Sequence, residues 1–196
     1  MARLIQRVGP CTLKPRRPSP AGVPWPYAAL VETITYQQLT GRVAATIFSR
    51  VKALFPHRAF PTPEELRDVL EEHLRGAGLS RAKAAALKDI AAKTLAGVVP
   101  APRELEAMHD AEIIRRLTQI RGVGPWTVEM LLMFRLGRPD ILPATDYGVR
   151  KGFALVYGRE KLPTPAELLE FGEKWRPYRT TASWYLWRSL DSKKSS

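Results

Sequence analysis

The chain has 196 residues, with 31 Lys and Arg against 19 Asp and Glu, a formal charge of +12 and an isoelectric point of about 10.2. Its one cysteine, Cys11, excludes an intramolecular disulfide, a thiolate zinc cage and a four-cysteine iron–sulfur cluster. No apolar run has the length of a membrane span, and the positive excess points to a polyanionic partner, nucleic acid before membrane. A chain of this size can bury a proper core as one domain or two small lobes. Without a signal-peptide core at the N-terminus, the cytoplasm is the expected compartment.

In chain order, residues 1–26 combine Pro10, Pro15, Pro18, Pro20, Pro24 and Pro26 with Lys14, Arg16 and Arg17, which predicts an extended basic arm. The folded domain is expected over residues 27–190. From Tyr27 onward the chain reads helical, with turns marked by Gly and Pro. Thr62-Pro63-Glu64-Glu65 has the form of a capping box with proline at the first helical position. Ala82 to Ala96 is a run of strong helix formers closed by Gly97. A second capping box, Thr164-Pro165-Ala166-Glu167, opens a later helix, and Glu173 to Trp187 completes the helical part. The tail 191–196 is expected to fray. Alternating apolar and β-branched residues are lacking, so the fold class is all-α.

The most informative stretch runs from Leu117 to Asp146. A short helix leads into Gly122-Val123-Gly124, and Pro125 stands where the next helix would begin. Glycines on either side of one apolar residue allow positive φ and a close backbone approach, and proline suits the first helical position. The second helix then presents its N-terminal amides, around Gly122, Gly124 and Thr127, to an anion such as phosphate, with Arg121 alongside. A Gly/Pro-rich loop, Gly137 to Pro143, follows and ends in Thr145-Asp146-Tyr147. Asp146 there suits a helix N-cap bonding the amide of Gly148 or Val149. A catalytic use is compatible with that cap, because the helix dipole favours negative charge at this point. Glu129 reads as a solvated charge, and His57, His73 and His109 are scattered without metal spacing.

These motifs, I-R-G-V-G-P-W-T followed by L-P-A-T-D-Y, resemble the helix-hairpin-helix DNA glycosylases with a Gly/Pro-rich loop and a catalytic aspartate. The 3-methyladenine DNA glycosylase II branch is the nearest match. Q-Q-L-T within Tyr27–Phe55, the helix start Gly78 to Lys83 and the segment Glu173 to Trp187 extend the resemblance in the family's order. It implies two helical lobes with the active-site cleft between them, here expected without the N-terminal β-domain of the bacterial prototype. It implies Asp146 as the catalytic carboxylate and Gln38 as the wedge that fills the gap left by a flipped base, with Gln37 bonding within its own turn. Trp126 and Trp187 would line the base pocket, with Met130 and Tyr36 beside them and Trp184 a further candidate. An electron-rich ring stacks on a cationic alkylated base with roughly 0.5–2 kcal/mol of extra attraction. The resemblance adds a structural Na+ or K+ on the carbonyls of Thr118, Ile120 and Val123, with no catalytic cofactor.

The expected activity is hydrolysis of the N-glycosidic bond of alkylated purines, of the 3-methyladenine and 7-methylguanine type, in duplex DNA by a monomer. Family members that also cut the backbone carry a lysine where Trp126 stands, and tryptophan cannot form a Schiff base. A monofunctional enzyme is therefore expected. Two alternatives stay open: a non-catalytic lesion-binding protein, and a glycosylase for oxidised or mispaired bases.

Overall fold

The structure, a computed structural model, describes residues 1–15 and 22–191. Arg16, Arg17, Pro18 and Pro20 of the expected arm, and residues 192–196 of the expected tail, lie outside the described residues. All regular structure among the described residues is helical, as the composition predicts. The chain divides into two compact units, one of Arg17–Val128 and one of Met1–Arg16 with Glu129–Ser196.

The first unit holds α2 (Trp25–Tyr36), α3 (Gly41–Ala53), α4 (Pro63–Asp68), α5 (Glu71–Gly76), α6 (Arg81–Leu95), α7 (Pro102–Ala107) and α8 (Asp110–Leu117), and the start of α9 (Pro125–Leu131). Its centre is α2, whose Tyr27, Leu30, Val31 and Ile34 are fully buried. α6 packs on α2, α4 and α5, and its buried Ala84, Ala86 and Ala91 let neighbouring helices come close around Leu87 and Ile90. The box at Thr62 forms as predicted: its hydroxyl accepts from Glu65 N at 3.3 Å and Glu65 accepts from Thr62 N at 2.8 Å.

The second unit holds α1 (Ala2–Val8), the end of α9 with a π-helical extension Leu132–Leu136, α10 (Tyr147–Tyr157), α11 (Pro165–Gly172) and α12 (Arg179–Asp191). α10 lies against α12, around a core of Leu142, Ala144, Val149, Phe153, Leu168 and Leu186. The contact is close because α10 carries glycine at 148 and 152. A Cβ on Gly152 would stand 2.2 Å from the carbonyl oxygen of Leu186.

The expected extended arm is corrected here. Residues 2–8 contain no proline, and they form α1, which packs on α12. Leu4 is buried against Trp184 and Tyr185, and the Tyr185 hydroxyl donates to the carbonyl of Gly9 at 2.8 Å. An apolar residue next to a free aromatic face outweighed the basic, proline-rich character of the segment as a whole. Trp25 and Pro26, also assigned to the arm, are the buried start of α2.

Candidate functional site

In the second unit the site is built from the loop upward. The Gly/Pro-rich loop is tied to the start of α12. The Thr180 hydroxyl donates to Arg138 O at 2.6 Å and accepts from Ile141 N at 3.0 Å. Arg179 grips the Asp140 carboxylate at 2.7 Å and its carbonyl at 2.9 Å. Burial works against the charge on Asp140, but hydrogen bonds and charge from Arg179, with the charge of Arg176, overcome it and hold the carboxyl below its ordinary range. The chain therefore reaches Asp146 on an anchored support.

Asp146 is the N-cap of α10, and its Oδ1 accepts from Val149 N at 2.7 Å. The same oxygen accepts from the indole Nε1 of Trp187 at 2.8 Å. Trp187 in turn stacks on Phe134, with ring centroids 5.9 Å apart and planes at 29°. Gly148 makes this possible, since a Cβ there would stand 2.8 Å from Trp187 Cδ1. Met130 is half-buried in this unit. Trp184 is a core residue, 7% exposed and edge-on to Tyr185, so its expected place in a base pocket is withdrawn.

Glu129 departs most from expectation. It is not a solvated charge: its Oε2 is buried and accepts no hydrogen bond from the described residues. Burial, and then the negative charge of Asp146, push its carboxyl up from 4.5 to about 7. Only the fold could reveal this, because one turn of helix sequence does not say which face is covered.

In the first unit, α8 ends in the hairpin 118–124, and Val123 N closes the turn on Ile120 O at 3.1 Å. Gly122 has φ +78°, and a Cβ there would meet Ala86 at 3.4 Å and Ile34 at 3.6 Å, so the turn sits in van der Waals contact with α6 and α2. The matching expectation for Gly124 is corrected. Its φ is ordinary, and the space beside it is open, which leaves the start of α9 uncovered. Arg121 is exposed, and its backbone N–H is held by Asp89 at 2.7 Å, a contact that no motif announced. Asp89, Lys88 and Lys93 line an open groove of about 990 Å³ together with Thr118, Ile120 and Gly124. Trp126 is 41% exposed at the start of α9, whereas the Thr127 side chain is buried.

The turn after α2 lies beside this hairpin. The expectation that the Gln37 side chain bonds within its own turn is corrected. Gln37 Nε2 donates instead to Gly122 O at 3.3 Å and Thr127 Oγ1 at 3.4 Å. Gln38 is exposed with φ +57°. Tyr36 is half-buried, edge-on to Phe48 at 6.0 Å.

Residues 31–177 match the family described as HhH-GPD superfamily base excision DNA repair protein. The chain belongs to the HhH-GPD superfamily. It is 43% identical over 164 residues to DNA-3-methyladenine glycosylase 1 of Schizosaccharomyces pombe, covering 84% of this chain and 72% of that protein. The solved structure of the Schizosaccharomyces pombe 3-methyladenine DNA glycosylase in complex with abasic DNA superposes with a TM-score of 0.79 at 41% identity, over 95% of this chain and 89% of that one. DNA-3-methyladenine glycosidase from Bacillus halodurans gives a TM-score of 0.85 at 33% identity, over 99% and 86%.

Within this HhH-GPD chain, then, the first unit carries the hairpin, Gln38, Tyr36 and Trp126. The second carries Asp146, Trp187 and Met130. The fold joins Trp187 directly to Asp146 and Gln37 directly to the hairpin. Sequence reading missed Glu129, Asp89, Phe134 and Gly148. For Gly148 a signal existed, because Gly148 and Gly152 are four apart on one helical face.

Proposed function

We propose that this protein is a monofunctional DNA glycosylase of base excision repair that removes alkylated purines of the 3-methyladenine and 7-methylguanine type from duplex DNA. The observation that carries the reading is Asp146, a helix-capping carboxylate fixed by Val149 and Trp187 in an HhH-GPD chain. To reach the glycosidic bond, the enzyme must take the nucleotide out of the stack. The hairpin amides grip backbone phosphate, and Gln38 fills the vacated space. Trp126, Met130, Trp187 and Tyr36 receive the base.

A purine alkylated at a ring nitrogen is already cationic, and its departure with the bonding electron pair needs no proton from the protein. Positive charge then develops on the sugar, where Asp146 stabilises it electrostatically. Water adds its hydroxide to C1′, and its proton passes to the carboxylate and on to solvent. Trp126 offers no amine for a Schiff base, so the product is an intact abasic site.

The carbonyls of Thr118, Ile120 and Val123 suit a hard monovalent cation. They are neutral oxygen donors on one turn, and those of Thr118 and Val123 accept no hydrogen bond from the described residues. Na+ or K+ there would add positive charge beside the phosphate. No acidic, histidine or cysteine cluster with metal-ligating form occurs among the described residues, and none of their helices is long and apolar enough to cross a membrane. In this reading the protein works as a monomer on DNA in the cytoplasm.

The test is to incubate methylated duplex DNA with the protein and identify released bases by mass spectrometry. Release of 3-methyladenine and 7-methylguanine is expected, with 8-oxoguanine retained in a matched duplex. Binding without release would support the lesion-binding alternative, and faster release of 8-oxoguanine the oxidised-base one.

A further inference from the structure

The turn that presents Gln38 is held from two sides by groups outside it. α2 ends at Tyr36, where its last carbonyls lose their intrahelical partners. The ammonium of Lys83, on the first turn of α6, takes two carbonyls at this end: Thr35 O at 2.9 Å and Gln37 O at 2.6 Å. Between those contacts and α3, Gln38 adopts φ +57°, which no other non-glycine residue among those described does. A left-handed conformation is unfavourable for a side-chain-bearing residue and persists where its surroundings fix it. The second tie is Gln37, whose amide reaches Gly122 O in the hairpin and Thr127 Oγ1 on the first turn of α9. The hairpin itself leans on Ala86, one turn beyond Lys83 on α6.

We infer that Lys83 and Gln37 are positioning residues that lock the Gln38 turn to the hairpin, so that wedge and phosphate grip advance into DNA as one rigid part. Neither side chain needs to touch the lesion. Lys83 spends two of its three donors on carbonyls of the turn, and Gln37 spends its amide N–H groups on the hairpin and the start of α9. A rigid wedge keeps its ordering cost out of the flipping step, because the φ +57° conformation is in place before DNA arrives. The inference rests on the reading of Gln38 as the wedge.

The experiment is a double-mutant cycle of Gln38→Ala and Lys83→Met in single-turnover excision of a methylated purine paired in duplex. The same lesion placed opposite an abasic site serves as a second substrate. Each single variant should lose about tenfold on the paired lesion, the scale of one hydrogen bond to a charged group. The double variant should lose little more than either alone, because Lys83 acts through Gln38. On the pre-disrupted substrate, where less unstacking is needed, both should recover most of the loss. Lys83→Arg, which keeps the charge and donors, should restore part of the rate. Multiplicative losses, or equal losses on both substrates, would overturn the inference and leave Lys83 a general stabiliser. If Gln38→Ala is impaired and Lys83→Met is not, the coupling is wrong and the wedge stands. If Gln38→Ala is itself unimpaired, the wedge reading fails and takes the coupling with it. Should Lys83→Met fold poorly by circular dichroism, Gln37→Leu takes its place in the cycle with the same outcomes required.

Discussion

At Asp146 one carboxylate serves both the fold and the proposed chemistry, and substitution can separate the two. Asparagine caps a helix as well as aspartate does and still offers an oxygen to Val149 N and Trp187 Nε1. Asp146→Asn should therefore keep its melting temperature and its DNA affinity. Excision should fall by at least about a hundredfold, because the charge that the proposed mechanism sets against the sugar is gone. Near-full single-turnover rates would reduce Asp146 to a helix cap. Trp187→Phe keeps a ring against Phe134 and removes the N–H, so it should lose about tenfold in excision with undamaged-DNA binding unchanged.

Glu129 makes a prediction about pH. Its carboxyl titrates at about 7 in the fold against 4.5 when unperturbed, so between those values the folded state holds a proton that the unfolded chain has released. Stability from this group therefore falls as pH rises through the window, and the loss is complete above neutrality. Glu129→Gln should be more stable than the parent above neutral pH by about 1–2 kcal/mol, allowing for solvent screening of a partly exposed group. The two should converge towards pH 4.5. Urea titrations across that range would measure it, and a constant difference at all pH values would contradict it.

At the scale of elements, two glycines predict opposite behaviour. Gly152 lets α12 lie on α10, and alanine would drive a methyl into Leu186 O, 2.2 Å away. Gly152→Ala should cost about 1–3 kcal/mol or more in urea denaturation. Excision should fall with it, because α12 carries Trp187. Gly124 faces open space at the hairpin. Gly124→Asp should leave the melting temperature nearly unchanged while weakening binding to damaged and undamaged DNA alike, through repulsion of phosphate. Unchanged affinity in a filter-binding assay would mean that the hairpin is not the anchor.

For the whole molecule, a charge of +12 makes backbone contact the main source of affinity. Affinity should drop steeply with salt, each phosphate contact adding about −0.9 to the log–log slope, equally for damaged and undamaged duplex. Borohydride should trap no covalent adduct on lesion DNA, since Trp126 occupies the hairpin helix where a lyase would need an amine. A stable adduct mapped to any lysine would refute the monofunctional reading.

The all-α class, both capping boxes, the hairpin and the Asp146 cap were legible in the chain because each depends on neighbours a few residues apart. Proline at 125 and 165, the hydroxyls at 62 and 164 and the carboxylate at 146 act within one helical turn. Contacts across long separations were not legible. Trp187 meets Asp146 from 41 residues away, Gln37 meets Gly122 from 85, and Tyr185 meets Gly9 from 176. Those pairings follow from which helix faces are buried against which, and α2, buried at every residue from Trp25 to Val31, has no single apolar face to announce its partner. The same reason hid Glu129. A glutamate on a short helix looks solvated until a second carboxylate and a packed neighbour close around it, and only tertiary structure supplies them.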